Sequence, residues 1–380
     1  MARPLKPNLA KVASLPLAGL ILASVFAATF ACALSLVATV SVGDRPWDVA
    51  YDSKMGEIFV ANGAFVGPPY VPGTVSIISD ATYAVVATVT VGEWPFGVAY
   101  DYATGEVFVA NDLENTVSVI SDSTNRVVAT VAVGVNPRGL AYDPFKGEIF
   151  VADFGANTVS VISDSTNSVV ATVSVGNSPR GLAYDASNGE VFVTDFGDGT
   201  VSVISDATNA VVSTIGVKSG PWDVTYDSSS GKLFVANYQD NTVSIISDVT
   251  FAAVATVSVG SGPSDVAYDP SEGQVFATNY HDNTVSVISD TSPYIVSATL
   301  GVGPGPVALV YDSSKNVVFV ANGGGNTVSV IESTKASVAT SSSRVQGQVA
   351  PWMGYDALVA LLAIALAGLA VVILVRRRVP

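Results

Sequence analysis

Seven tandem copies of one pattern predict an all-β fold: a seven-bladed β-propeller of four-stranded antiparallel blades. Tyr-Asp recurs at 51–52, 100–101, 142–143, 184–185, 226–227, 268–269 and 311–312, in steps of 49, 42, 42, 42, 42 and 43 residues. Thr-Val-Ser recurs seven times, beginning at 74, 116, 158, 200, 242, 284 and 327. One unit, residues 127–167, holds four runs rich in Val and Ile: VATVAV, RGLAYD, EIFVA and TVSVIS. Each run is bounded by Gly, Pro, Asn, Asp or Ser and shows no 3.6-residue apolar period, which marks strands of ordinary length. Four antiparallel strands in each of seven periods make a propeller. An open β-solenoid is the rival, but its rungs are shorter and its ends need caps.

Residues 1–33 read as a secretory signal peptide or an uncleaved signal anchor. Arg3, Lys6 and Lys11 precede an almost wholly apolar or small stretch at 14–36. That is a basic region followed by a hydrophobic segment. Ala31-Cys32-Ala33 offers a small-x-small cleavage site, whereas an uncut segment of this length spans a bilayer. The propeller is assigned to residues 34–335. Its first run, VATVSV at 37–42, is an extra copy of the strand type that ends each unit, with no third strand before it. It is expected to complete the seventh blade beside 306–331 and so close the ring. Ser337-Val338-Ala339-Thr340 is a shorter competitor for that place.

Two turn positions repeat through the units. Four residues after each repeated Asp stands Gly56, Gly105, Gly147, Gly189, Gly231, Gly273 or Asn316. Before each Thr-Val-Ser stands Gly73, Asn115, Asn157, Gly199, Asn241, Asn283 or Asn326. Gly and Asn tolerate positive φ, so both positions are expected to be left-handed turn residues. The repeated Asp should open its turn and cap backbone N–H groups.

Residues 336–355, rich in Ser, Thr, Ala and Gln, read as a flexible stalk. Residues 356–375 contain the uncharged run ALVALLAIALAGLAVVILV, the length of a transmembrane helix. The tail 376–380, with Arg376, Arg377 and Arg378, stays inside by the positive-inside rule and leaves the propeller outside. The predicted localisation is therefore a single-pass cell membrane protein with an extracellular propeller.

Charge excludes other classes. The chain has 380 residues, a net charge of −15 and 13% charged residues. Residues 34–335 carry 31 of the 32 acids and 10 of the 17 bases, a net −21. No nucleic-acid partner is expected without a basic footprint. One Cys and one His give no disulfide scaffold and no ligand set for a Cys- or His-based metal site. No cofactor and no catalytic residue are assigned.

The sequence resembles the YVTN-repeat β-propeller proteins. Phe-Val-Ala-Asn stands at 59–62, 108–111, 234–237 and 319–322. Phe-Val-Ala-Asp at 150–153, Phe-Val-Thr-Asp at 192–195 and Phe-Ala-Thr-Asn at 276–279 are variants. The resemblance covers roughly residues 35–335 and extends to Val-Gly-x-x-Pro and Asn-Thr-Val-Ser-Val-Ile. It implies an exported, surface-layer-like protein of archaea or bacteria, and it supplies no catalytic residues. The tail is similar to that of archaeal surface proteins, though Ala350-Pro351-Trp352 stands where their Pro-Gly-Phe sorting motif would be.

Variation gathers on one face of such a ring, where the loops entering the inner strands meet those joining second and third strands. Trp47, Phe96, Arg138, Arg180, Trp222 and Ser264 follow the repeated Pro. Phe154, Phe196, Tyr238 and Tyr280 share one position in four successive repeats, with Asp198 and His281 close by. The insertion 63–72 falls on the same face. The candidate binding residues are Trp47, Phe96, Arg138, Arg180, Trp222, Tyr238, Tyr280 and His281. Aromatic rings with Arg and Asp suit a glycan, a peptide or an acidic group. Each also has a plainer reading: the loop aromatics as packing between blades, the arginines as partners of surface acids, His281 as a solvated turn residue. The leading expectation is a non-enzymatic binding or envelope-structural module at the cell surface, with envelope proteins or glycans as partners. The alternatives are an exported lactonase- or lyase-like enzyme with its site in the channel mouth, and a subunit docked on another envelope protein.

Overall fold

The computed structural model describes residues 33–63 and 71–334. The readings for the signal segment, the stalk, the transmembrane run, the basic tail, the strand at 337–340 and the tip of the 63–72 insertion lie outside the described residues. Among the described residues no helix is long and apolar enough to cross a membrane.

The described chain forms seven antiparallel four-stranded sheets. In the third blade the strands are Pro137–Asp143, Glu148–Asp153, Thr158–Ser163 and Ser168–Ser174, paired in that order. The inner strands of the seven blades are Pro46–Asp52, Pro95–Asp101, Pro137–Asp143, Pro179–Asp185, Pro221–Asp227, Pro263–Asp269 and Pro306–Asp312. Each packs against the inner strands on either side, and the last returns to the first. The N-terminal strand Ala33–Ser41 closes the ring by pairing with Thr327–Thr334 of blade seven, from Ala33 opposite Thr334 to Ser41 opposite Thr327. Closure therefore follows the expected route and leaves no unpaired strand at the joint.

The repeated residues account for the joints. Each blade places one Phe in full burial, from Phe59 in the first to Phe319 in the seventh. Seven apolar clusters form, each drawn from two adjacent blades. The Phe-Val-Ala-Asn signature ends on a buried polar joint. Asn111 Nδ2 donates to Thr116 Oγ1 at 3.0 Å and Ser118 Oγ at 2.9 Å. Where Asp153 replaces Asn, its carboxylate accepts from Thr158 Oγ1 at 2.9 Å and Ser160 Oγ at 2.8 Å. A hydroxyl both donates and accepts, so Asn and Asp interchange here.

Tyr-Asp works across blades. The Asp opens its turn as expected: Asp143 Oδ1 accepts from Phe145 N at 2.8 Å and Lys146 N at 3.3 Å. The Tyr faces the Asp of the preceding blade: Tyr100 towards Asp52, Tyr142 towards Asp101, and so round to Tyr51 towards Asp312. Burial first, and the facing carboxylate after it, pushes the phenol up, to about 12 for Tyr51.

The left-handed turns agree with expectation at thirteen of the fourteen positions, from Gly56 (φ 69°) and Asn115 (φ 57°) to Asn316 and Asn326. Gly73 is the exception. It lies inside the strand Pro72–Ser79, and a Cβ there would run into the Pro95 ring. Close approach, rather than positive φ, explains this glycine.

Candidate binding site at the channel mouth

The mouth is shaped by what flanks the repeated Pro. The residue before it has positive φ in every blade: Arg45, Trp94, Asn136, Ser178, Gly220, Gly262 and Gly305, between 50° and 68°. For a residue as bulky as Trp94 that conformation is strained. After the Pro the ladder slips. Pro137 faces Asp153, and the next pair in the third blade is Leu140 with Val151. The fourth blade repeats this around Arg180 and Gly181. Such a bulge frees the intervening side chain from the sheet's alternation and re-aims it. Gly97 and Gly139 let neighbouring blades close in, since a Cβ on either would strike the carbonyl of Arg138 or Arg180.

All seven inner strands line one central cavity of about 200 Å³. Trp47, Phe96, Arg180 and Trp222 sit on its wall, and Gly139, Ser264 and Val307 complete the ring, while Arg138 does not line it. A second groove of about 360 Å³ adjoins it through Trp47 and Val307 and runs past Tyr280 over Gly323 and Gly324 of blade seven. The indole Nε1 of Trp47 is buried without a hydrogen-bond partner among the described residues.

The eight sequence-predicted residues form one connected chain of contacts. Trp47 stacks on Phe96 with centroids 5.0 Å apart. The Arg138 and Arg180 guanidinium carbons lie 5.2 and 5.0 Å from the Phe96 centroid. Arg180 sits 3.1 Å over Trp222, which stacks on Tyr238 at 4.5 Å. The Tyr238 hydroxyl and His281 Nε2 are 3.0 Å apart, and His281 meets Tyr280 edge-on. The loop aromatics Phe154 and Phe196 are half-buried: Arg138 covers Phe154 at 3.4 Å, and Phe196 packs edge-on against Trp222.

The two arginines differ. Arg138 is ion-paired with Asp112, Nε to Oδ2 at 3.1 Å. Arg180 is only 6% exposed and reaches across the mouth between Phe96 and Trp222. Its Nε is buried and unpartnered, and no acid pairs with it among the described residues. Burial first, then the charge of Arg138, lowers its pKa.

Three carboxylates at the cavity escaped the sequence reading. Asp48 Oδ1 accepts from Val49 N and its Oδ2 from Val98 N of the next blade, both at 2.8 Å. Asp265 likewise accepts from Val266 N at 2.7 Å and from Leu309 N across the joint at 2.6 Å. Asp223 occupies the same position in blade five. Burial raises all three; Asp48 rises to about 7, and the neighbouring Asp223 raises Asp265 further. The available signal was the residue two after the repeated Pro, which is Asp in blades one, five and six and Gly or Ala in the others.

Comparison with known proteins adds the fold and a short repeat match. An NHL repeat model matches residues 177–204, a stretch within the fourth blade. No curated protein matches the sequence. Among solved structures, Kuenenia stuttgartiensis hydrazine synthase is similar with a TM-score of 0.69 at 18% identity, covering 77% of this chain and 96% of that one. At that identity the likeness is one of fold. The chain is a seven-bladed β-propeller of four-stranded antiparallel blades, similar over part of one blade to NHL repeats.

Proposed function

We propose that this protein is a non-enzymatic binding propeller, displayed on the outer side of a membrane and taking its ligand at the channel mouth. The observation that carries the reading is the connected cluster of rings and arginines around a cavity lined by all seven inner strands. A rim of aromatic anchors around a few convergent polar groups is the usual build of a small-ligand site. The uncharged run at 357–375 before Arg376–Arg378, and the resemblance to YVTN-repeat surface proteins, support outward display and an envelope role. The test is binding by the full-length chain on a glycan array and in pull-downs from envelope fractions. Arg138→Ala with Arg180→Ala should abolish binding; unchanged binding removes both arginines from the site.

One observation favours an exported enzyme as the second reading. The mouth is not a plain funnel of Val, Ala and Gly, since Arg180 and the raised carboxyls of Asp48, Asp223 and Asp265 meet there. Perturbed acids beside a buried cation are common at reaction centres. Turnover of lactones or acidic saccharides, lost in Asp223→Asn, would favour this reading; inert substrates with intact binding favour the first.

A further inference from the structure

We propose that the central cavity is a subsite for the carboxylate of a sugar acid, a terminal uronate of an acidic saccharide, with Arg180 as its anchor. This rests on the reading of the mouth as a binding site and names the class of ligand. A buried guanidinium is costly unless something pairs with it, and although Asp223 and Asp112 act on Arg180 electrostatically, neither forms an ion pair with it. Arg138, one blade away in the same local sequence, has Asp112 for this purpose; Arg180 has no acid partner among the described residues. The missing partner is a group of one negative charge and planar shape, which a guanidinium fork grips bidentately. To the extent that Asp48, Asp223 and Asp265 on the same wall are ionised they repel any anion, and a dianionic phosphate more strongly than a monoanionic carboxylate.

Those carboxylates select the rest of the ligand. Asp223 and Asp265 are hydrogen-bonded to each other, but each of the three carboxyl groups keeps lone pairs beyond the bonds it makes, and sugar hydroxyls, which both donate and accept, fit them. The cavity, at about 200 Å³, exceeds the ~150 Å³ that holds benzene and accommodates one pyranose ring. Its continuation into the groove over Gly323 and Gly324 gives the remainder of a chain a way out.

The experiment titrates the full-length chain with glucuronate, glucuronate methyl ester, glucose and inorganic phosphate, reading tryptophan fluorescence from Trp47 and Trp222 and heat. Glucuronate should bind at least about tenfold more tightly than its methyl ester, glucose or phosphate, the scale of one charged hydrogen-bonded pair. Arg180→Met should remove that preference without lowering Tm, because it deletes an unpaired buried charge. The methyl ester tests the same contact in the wild-type chain should the variant fail to fold. The proposal is overturned if ester and acid bind alike, if phosphate binds best, or if Arg180→Met retains the preference. Binding of a neutral glycan that is lost in Trp222→Ala would sink the carboxylate while leaving the mouth as the site. No response to any saccharide would remove both.

Discussion

Replacing Asp48 by asparagine should change the sign of its effect on stability with pH. The carboxyl of Asp48 is raised from 3.8 to about 7 by burial, with the Val98 and Val49 amides acting the other way. Between those values the folded chain holds a proton that the unfolded chain has released. Stability therefore falls as pH rises through that window and levels off above about 7. At about 1.4 kcal/mol per pH unit, the charged carboxylate costs the fold up to about 4 kcal/mol at pH 8. Asparagine is neutral throughout and escapes this cost. It keeps one acceptor oxygen for the two amides that Asp48 now serves, a loss of about 1 kcal/mol at every pH. The variant should be about 1 kcal/mol less stable than wild type near pH 4 and about 3 kcal/mol more stable at pH 8. Denaturant unfolding of both proteins at pH 4, 6 and 8 measures this. Other raised acids, such as Asp195 at about 6 and Glu190 at about 7, are common to both and cancel in the difference. A difference that does not vary with pH would refute the burial of a charged Asp48.

Deleting residues 34–41 removes the ladder that joins Ala33–Ser41 to Thr327–Thr334, and Tm should fall by about 10 °C or more; an unchanged Tm would mean that another strand closes the ring. Gly139→Ala drives a Cβ into the Arg180 carbonyl and should cost roughly 1–3 kcal/mol, whereas Gly216→Ala, whose Cβ meets nothing, should be near neutral in the same unfolding assay. Ser178→Gly relieves a φ of 57° at a position that is already Gly in three blades, so calorimetry should show a gain of up to about 1 kcal/mol; a loss of that size would show that the Ser side chain matters more than the backbone.

The ring was legible because its information is local and repeated. Strands and turns depend on residues adjacent in the chain, and seven copies exposed their recurring positions; the closing strand pairs with Thr327–Thr334 at the far end of the ring, and it was legible because it is an extra copy of a repeated strand type. The mouth was legible only as a list of residues. Arg138 and Arg180 lie in the identical run Pro-Arg-Gly-Leu-Ala-Tyr-Asp, yet one is ion-paired and the other lies between Phe96 and Trp222 without an ion pair. The difference comes from the preceding blade, where Asp112 stands for Arg138 and Phe154 stands at the equivalent place for Arg180. Asp48, Asp223 and Asp265 were hidden for a related reason. Each reads as a turn acid after Pro, and its partner amide on the next blade is dozens of residues away. Gly73 shows the same limit, since its constraint is the Pro95 ring.

Each joint between blades is assembled from the two ends of one dipeptide, the Tyr looking back and the Asp looking forward. A duplicated segment of one period thus arrives carrying both halves of its own couplings, and any copy fits beside any other. The closing strand pairs with the last copy whatever number lies between. Ring size is then a matter of the wedge angle at each joint, and gain or loss of one whole period in the gene asks for no new ends.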